Sequence, residues 1–326
     1  MFQARKGYIR PRCIPCIFEV ALKYLKLGLD QTDLTESQKR EKEFEGIQKL
    51  IEILHITTHK DAPPNEIASK MFKEAANISN IADIWKNIRE NADILCLKAI
   101  PYFEAHLASI SMDDKKKRLE TAIKIAVLGN NFDIGTTSHD GEVSDESIQS
   151  SIEQLKQIKF EINDFDLLWS DLLNEKNKRI LLVLDNAGEI AFDKLLVRVL
   201  KEFNKEIIAA VKGEPISNDA IMEDAILVGL DKECNVITTG SSDLGYDPHH
   251  ASPEFMDLLQ NSEIVILKGM ANFEAIYAYQ HLHATGPAHY YSLLKIKCYT
   301  HAELLDKPFG SYVLKRIEMK DNSFSP

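Results

Sequence analysis

The sequence predicts a three-layer α/β/α fold with a mostly parallel sheet, preceded by an all-helical N-terminal domain. Three observations carry this. The apolar residues keep helical spacing up to about Leu128 and change period afterwards. In the second half, short apolar runs alternate with helical stripes at a repeat of ~25–30 residues, the pattern of a doubly wound sheet. Each of those runs ends in polar residues, usually with a glycine.

In the first half, Phe18, Ala21, Leu22 and Leu25 form one helical stripe. Ile47, Leu50, Ile51 and Leu54 form a second, and Ile81, Ile84, Trp85 and Ile88 a third. Pro63-Pro64 interrupts the pattern, and Asn65 is expected to cap the helix that follows. In the second half, residues 179–184 (RILLVL) read as a strand buried on both faces, ending at Asp185-Asn186-Ala187-Gly188. Phe192, Leu195, Leu196, Val199, Leu200 and Phe203 mark the next helix. Strands at 207–211, 236–240, 264–268 and 290–296 follow, separated by helices at 220–227, 253–259 and 272–281. The polar stretch 138–150 reads as a linker or mobile loop. The expected domains are residues 1–128, helical, and 129–326, α/β/α and catalytic.

Bulk properties narrow the function. The formal net charge of −11 repels nucleic acid and anionic membranes, and Lys115, Lys116, Lys117 and Arg118 read as a solvated helix face. No apolar run reaches the ~20 residues of a membrane span, and the N-terminus lacks a signal-peptide core, so a cytoplasmic protein is expected. Five scattered cysteines are not a disulfide framework. Cys13-Ile14-Pro15-Cys16 lacks the second pair of a structural zinc site and the βαβ context of a redox motif, so a buried pair at a helix N-terminus is expected.

Ligands of an open parallel sheet bind outside the carboxyl ends of its strands. Asp185 and Asn186 stand at one such end and Asp219 in the loop after the next strand. Two carboxylates and an amide oxygen suit a hard divalent cation and leave positions for water and a phosphate oxygen. Lys268 or Lys297, also at strand ends, would balance the remaining phosphate charge, and the helix opened by Gly188 offers N-terminal amides. Taken singly, an Asp-Asn pair also makes turns and an Asp also caps helices. It is the convergence on one sheet edge that points to a site. A nucleotide-binding module and a methyltransferase share this alternating pattern, but no G-x-G-x-x-G or Walker A string follows any strand.

The strings LLVLDNAGEIAFDKLLV (181–197), VKGEPISNDAIMEDA (211–225) and ILKGMANFEAI (266–276), with Lys297-Cys298, resemble the damage-control phosphatase family, formerly domain of unknown function 89. RCIPC (12–16) and LGNNFDIG (128–135) resemble its prokaryotic branch. The resemblance implies a phosphatase acting on phosphate monoesters of small metabolites, sugar phosphates or related and damaged compounds, supported by manganese, cobalt, nickel or magnesium. It places the metal ligands on Asp185, Asn186 and Asp219, the substrate-contacting segment on Met270, Ala271, Asn272, Phe273 and Glu274, and the phosphate-side lysine on Lys297. Asn130 and Asp133 match a polar motif of the prokaryotic branch and are expected at the substrate. Some relatives carry an acidic residue and an arginine where this chain has Met270 and Glu274, so their substrate preference does not transfer. Water, or Asp185 itself, would attack the phosphorus.

Overall fold

The apolar run at 179–184 forms β2 (Arg179–Val183), an interior strand of a seven-stranded sheet. The computed structural model describes residues 9–59, 62–129, 153–283 and 286–319. Asn130, Asp133 and the expected loop 138–150 lie outside the described residues. The other strands are β1 (Phe160–Asn163), β3 (Glu206–Val211), β4 (Asn235–Thr238), β5 (Ile264–Lys268), β6 (His289–Lys295) and β7 (Tyr312–Ile317). Their order across the sheet is β1-β7-β6-β5-β2-β3-β4. Strands β2 to β6 are parallel to their neighbours among themselves, whereas β7 runs antiparallel to β6 and pairs in parallel with β1.

Strict alternation along the strands sorts side chains to two apolar layers. Ile180, Leu182 and Leu184 face one cluster, which also takes in α4 (Lys86–Ala108), α5 (Lys115–Leu128), α6 (Phe165–Leu173) and α7 (Glu189–Lys201). Leu181 and Val183 face the other, with α9 (Pro253–Asn261), α10 (Gly269–Ala278) and α11 (Tyr299–Leu305). Both faces are therefore covered, which is why the strand sequences are almost wholly apolar. The short α8 (Met222–Leu227) lies between β3 and β4 in sequence.

The helices α1 (Cys13–Asp30), α2 (Glu36–Thr57) and α3 (Pro64–Ser79) form a third cluster around Leu25, Leu50, Met71 and Ala75. The apolar clusters thus group α1–α3 together and α4–α5 with the sheet. Two local expectations are corrected. Asn65 does not cap α3; Pro63 is the cap residue, Pro64 opens the helix, and the Asn65 amide donates to Leu244 O at 2.8 Å. Lys115, Lys116 and Lys117 are exposed as expected, but Arg118 is buried, donating to Glu202 Oε1 at 2.6 Å and to Leu107 O at 2.9 Å. No described helix is long and apolar enough to cross a membrane.

From β2 the chain winds outward through β3 and β4, then returns to lay β5 and β6 on the other side of β2. The crevice of such a sheet opens where the winding direction reverses, here between the carboxyl ends of β2 and β5.

Candidate active site

The chain leaves β2 directly into Asp185. The amide of Ala220 donates to Asp185 O at 2.8 Å and that of Ala187 to Asn218 O at 2.9 Å, so Asn186 and Asp219 face each other in an antiparallel bridge. A further bond, Lys212 N to Ala220 O at 2.9 Å, continues the register into β3. Backbone pairing thus brings the three sequence-predicted oxygen ligands together. The Asn186 side-chain amide donates to Asp185 Oδ2 at 3.1 Å, so the Asn186 side-chain oxygen is not engaged by that bond. Across the switch point, Gly269 has φ +76°, and a Cβ built there would stand 1.9 Å from Asp185 Oδ2. Only glycine combines that dihedral with a carboxylate lying on its Cα.

Charge is concentrated here. Burial, then Glu189 and Asp219, push the Asp185 carboxyl well above the usual range, while Lys297 and Lys212 pull it back. Lys212 is buried; its Nζ donates to Gly245 O and lies 3.4 Å from Asp219 Oδ2. Lys212 and Glu189 were not among the residues expected at the site. The signal for Lys212 was present as the charged residue that closes an apolar strand, and Glu189 lies inside the DNAGE string.

Lys297 follows β6, whose parallel pairing with β5 brings it to the same edge, and its charge reaches Asp185. Its backbone amide donates to Met270 Sδ at 3.3 Å, joining two of the expected segments. Lys268 must be reassigned. It is fully buried, and its ammonium donates to Glu189 Oε1 at 2.5 Å, Asp193 Oδ1 at 2.7 Å and Ala126 O at 3.1 Å. With all three N–H groups taken it has none for a substrate. Asn272 is also buried; its amide donates to Leu184 O at 3.0 Å and Lys268 O at 2.8 Å, stitching the ends of β2 and β5 together. Glu274 sits at a seam between helices. It accepts the Asn65 backbone amide, lies 3.2 Å from His301 Nε2, and is pushed up to about 8 by burial. The amide of Gly188, the residue that caps α7, is not available to phosphate either, because it donates to Asp93 Oδ1 at 2.6 Å.

The Cys-x-x-C pair divides. Cys13 is buried, 3.6 Å from Thr300 Oγ1, whereas Cys16 is exposed, against expectation. Burial, followed by Cys298 and Cys13, pushes the Cys16 thiol upward.

The three-layer sheet with its helical N-terminal region is a known architecture. It matches the crystal structure of a domain-of-unknown-function-89 family protein from Pyrococcus horikoshii with a TM-score of 0.80 at 24% identity, covering 95% of this chain and 99% of that one. The sequence narrows the class further: the family model described as "Damage-control phosphatase ARMT1-like domain" matches residues 9–313, and the chain belongs to that family. An uncharacterized protein of Methanocaldococcus jannaschii is 31% identical over 96% of this chain and 97% of its own length. A damage-control phosphatase of Pyrococcus horikoshii is 33% identical over 68% of this chain and 76% of its own. One of Archaeoglobus fulgidus is 27% identical over 82% and 87% respectively.

Proposed function

We propose that this chain is a divalent-metal-dependent phosphatase that hydrolyses phosphate monoesters of small metabolites, sugar phosphates or related and damaged compounds. Family membership supports the phosphatase class. The observation that carries metal dependence is the backbone pairing that sets Asn186 and Asp219 beside Asp185 at the switch point, where burial, then Glu189 and Asp219, raise the Asp185 carboxyl. A cation is the natural relief for such a group. Among the described residues no three His, Cys, Asp or Glu side chains are gathered as a metal cluster. The ligand set proposed is instead two carboxylates, Asp185 and Asp219, with the Asn186 carbonyl. This oxygen-only set fits manganese or magnesium and admits cobalt and nickel.

When bound, the ion supplies Lewis acidity at a phosphoryl oxygen and a place for the attacking water. The chain supplies the rest. Asn186 and Asp219 are fixed by their bridge, and Lys212 steadies Asp219 from behind. The charge of Lys297 reaches Asp185, and its ammonium would meet charge developing on the phosphoryl oxygens. Asp185 either orients water or attacks the phosphorus itself. Lys268, Glu189 and Asp193 form a buried ion-paired frame beside the site.

A panel of phosphorylated metabolites, assayed with chelator and with each of manganese, cobalt, nickel and magnesium, tests the proposal. Turnover should vanish in chelator, return with metal, and be absent in Asp185→Ala and Asp219→Ala. Full turnover in excess chelator, with no metal retained on elemental analysis, would overturn it.

A further inference from the structure

The turn that carries Asn186 and the loop that carries Asp219 are gripped from below by two buried carboxyl groups. Asp93, on α4, accepts the Gly188 amide at 2.6 Å, two residues beyond Asn186. Asp224, on α8, accepts the Ile221 amide at 2.9 Å, two residues beyond Asp219. Both are buried, Asp93 completely. α4 also presses on the turn directly, since a Cβ at Gly188 would stand 3.1 Å from Ala92 Cβ and from Cys96 Sγ.

The two carboxyl groups meet each other. Asp93 lies in hydrogen-bond contact with Asp224. Its Oδ2 is buried and accepts no N–H or O–H among the described residues. Arg89 is the cation facing the pair. Its Nε donates to Asp224 Oδ2 at 2.9 Å, and its two terminal nitrogens are spent on Asp83 at 2.8 and 2.9 Å. One guanidinium therefore already serves two carboxylates, and a third ionised one would be uncompensated in the interior. A proton between Asp93 and Asp224 satisfies the bare oxygen and balances the cluster at one stroke.

We propose that Asp93 is a positioning residue that, as a neutral carboxylic acid donating to Asp224, ties the turn carrying Asn186 to the loop carrying Asp219. The assignment rests on the reading of those residues as metal ligands. Asp93 touches neither substrate nor metal; it sets the spacing of the ligands through two backbone amides. Burial, with Asp224 adding to it, pushes the Asp93 carboxyl up to about 8, which agrees with a retained proton at neutral pH. The sign of the linkage follows. An unfolded aspartate titrates near 4, so between there and about 8 the folded chain holds a proton that the unfolded chain has lost, and stability declines as pH rises through that window.

Asparagine reproduces the neutral acid, with Oδ1 for Gly188 N and Nδ2 for Asp224; leucine reproduces only its volume. Binding of Mn²⁺ is measured by calorimetry at pH 7 on the full-length wild type, Asp93→Asn and Asp93→Leu, together with melting of the metal-free proteins from pH 5.5 to 9. Asp93→Asn should bind within about threefold of wild type, and Asp93→Leu at least ~10-fold more weakly, the loss usual when a group supporting a ligand is removed. The melting temperature of wild type minus that of Asp93→Asn should fall as pH rises to about 8 and stay level above it. An Asparagine variant as impaired as the leucine one, or a melting difference independent of pH, would overturn the assignment. The melting comparison stands even if Asp93→Leu does not fold. Failure of the wild type itself to bind Mn²⁺ would instead strike at the proposed function, leaving the melting comparison to judge Asp93.

Discussion

Lys268 and Lys297 stand at neighbouring strand ends, and replacing each by methionine should give opposite results. Lys268 joins the end of β5 to the first turns of α7 and the last turn of α5 through Glu189, Asp193 and Ala126 O. Methionine fills much of the same volume and removes the charge, leaving two carboxyl groups buried without their cation. Breaking a buried pair in this way costs ~3–5 kcal/mol. The lower part of that range applies at pH 7, because burial already pushes Asp193 up to about 7 against the pull of Lys268, so a proton is close at hand. Loss of the ammonium raises the folded Asp193 carboxyl further above its unfolded value; the folded form then takes up its proton more fully than wild type around neutrality, and the deficit shrinks toward pH 5. Lys297 is partly exposed, so Lys297→Met should cost no more than ~1 kcal/mol while reducing turnover ~10²–10³-fold, the range for one lost electrostatic contact to a transition state. Urea unfolding at pH 7 and 5.5, analysed at constant m, measures the first pair of values, and steady-state turnover the second. A Lys268→Met protein with the wild-type midpoint, or with the same deficit at both pH values, would refute the buried-triad reading.

Two further substitutions probe the carboxylate cluster. In chelator, Asp185→Asn should melt above wild type, because it relieves repulsion with Glu189 and Asp219, whereas Mn²⁺ at about 100 times its Kd should stabilise wild type by ~2.7 kcal/mol and the variant hardly at all; a variant that melts lower in chelator would contradict this. Gly269→Ala should lose Mn²⁺ binding, since its Cβ would displace the Asp185 carboxylate, while Gly310→Ala, with φ +88° and open space around it, should keep binding despite similar backbone strain; equal Mn²⁺ titrations for both would remove Asp185 from contact with Gly269.

Strands β2, β3, β5 and β6 were legible because each carries an apolar run covered on both faces, and the half-exposed edge strand β4 because Val236 and Ile237 fall at the next repeat of the pattern. β1 and β7 were not: β1 has four residues alternating between half-buried and exposed, and β7 carries Lys315 and Arg316 within it. The meeting of Asp185, Asn186 and Asp219 was legible because a strand end fixes where Asp185 and Asn186 go, whatever the helices do. Lys268 was misplaced because a lysine that closes a strand has the same sequence signature whichever face it takes. Its parity with Ile264 and Ile266, both in the layer containing α5 and α7, holds the answer once the topology is known. Asp93 could not have been found from spacing, since its partner Gly188 is 95 residues away on another element.

The same long-range pairing gives the N-terminal helices a role at the edge loops. The turn after β2 is gripped by α4 through Asp93. The loop after β3 inserts Ile216 into the α1–α3 cluster, and Ser217, at φ +51°, donates its amide to the hydroxyl of Tyr24 on α1 at 3.3 Å. That left-handed conformation is unfavourable for serine, and it lies two residues before Asp219. The loop after β4 is held by α3, through the Asn65 bond to Leu244 O, a 2.9 Å bond from Leu244 N to Ser69 Oγ, and a 2.6 Å pair between Lys73 and Asp243. The segment after β6 meets the start of α1 through Cys13 and Thr300 and through Arg12 and Glu303, 2.9 Å apart. Four of the loops at the carboxyl edge thus take their fixed points from helices that precede the sheet in sequence. A sheet alone fixes where its strands end; the spacing of Asp185, Asn186 and Asp219 needs those outside anchors, because the loops between them contribute few buried apolar side chains of their own.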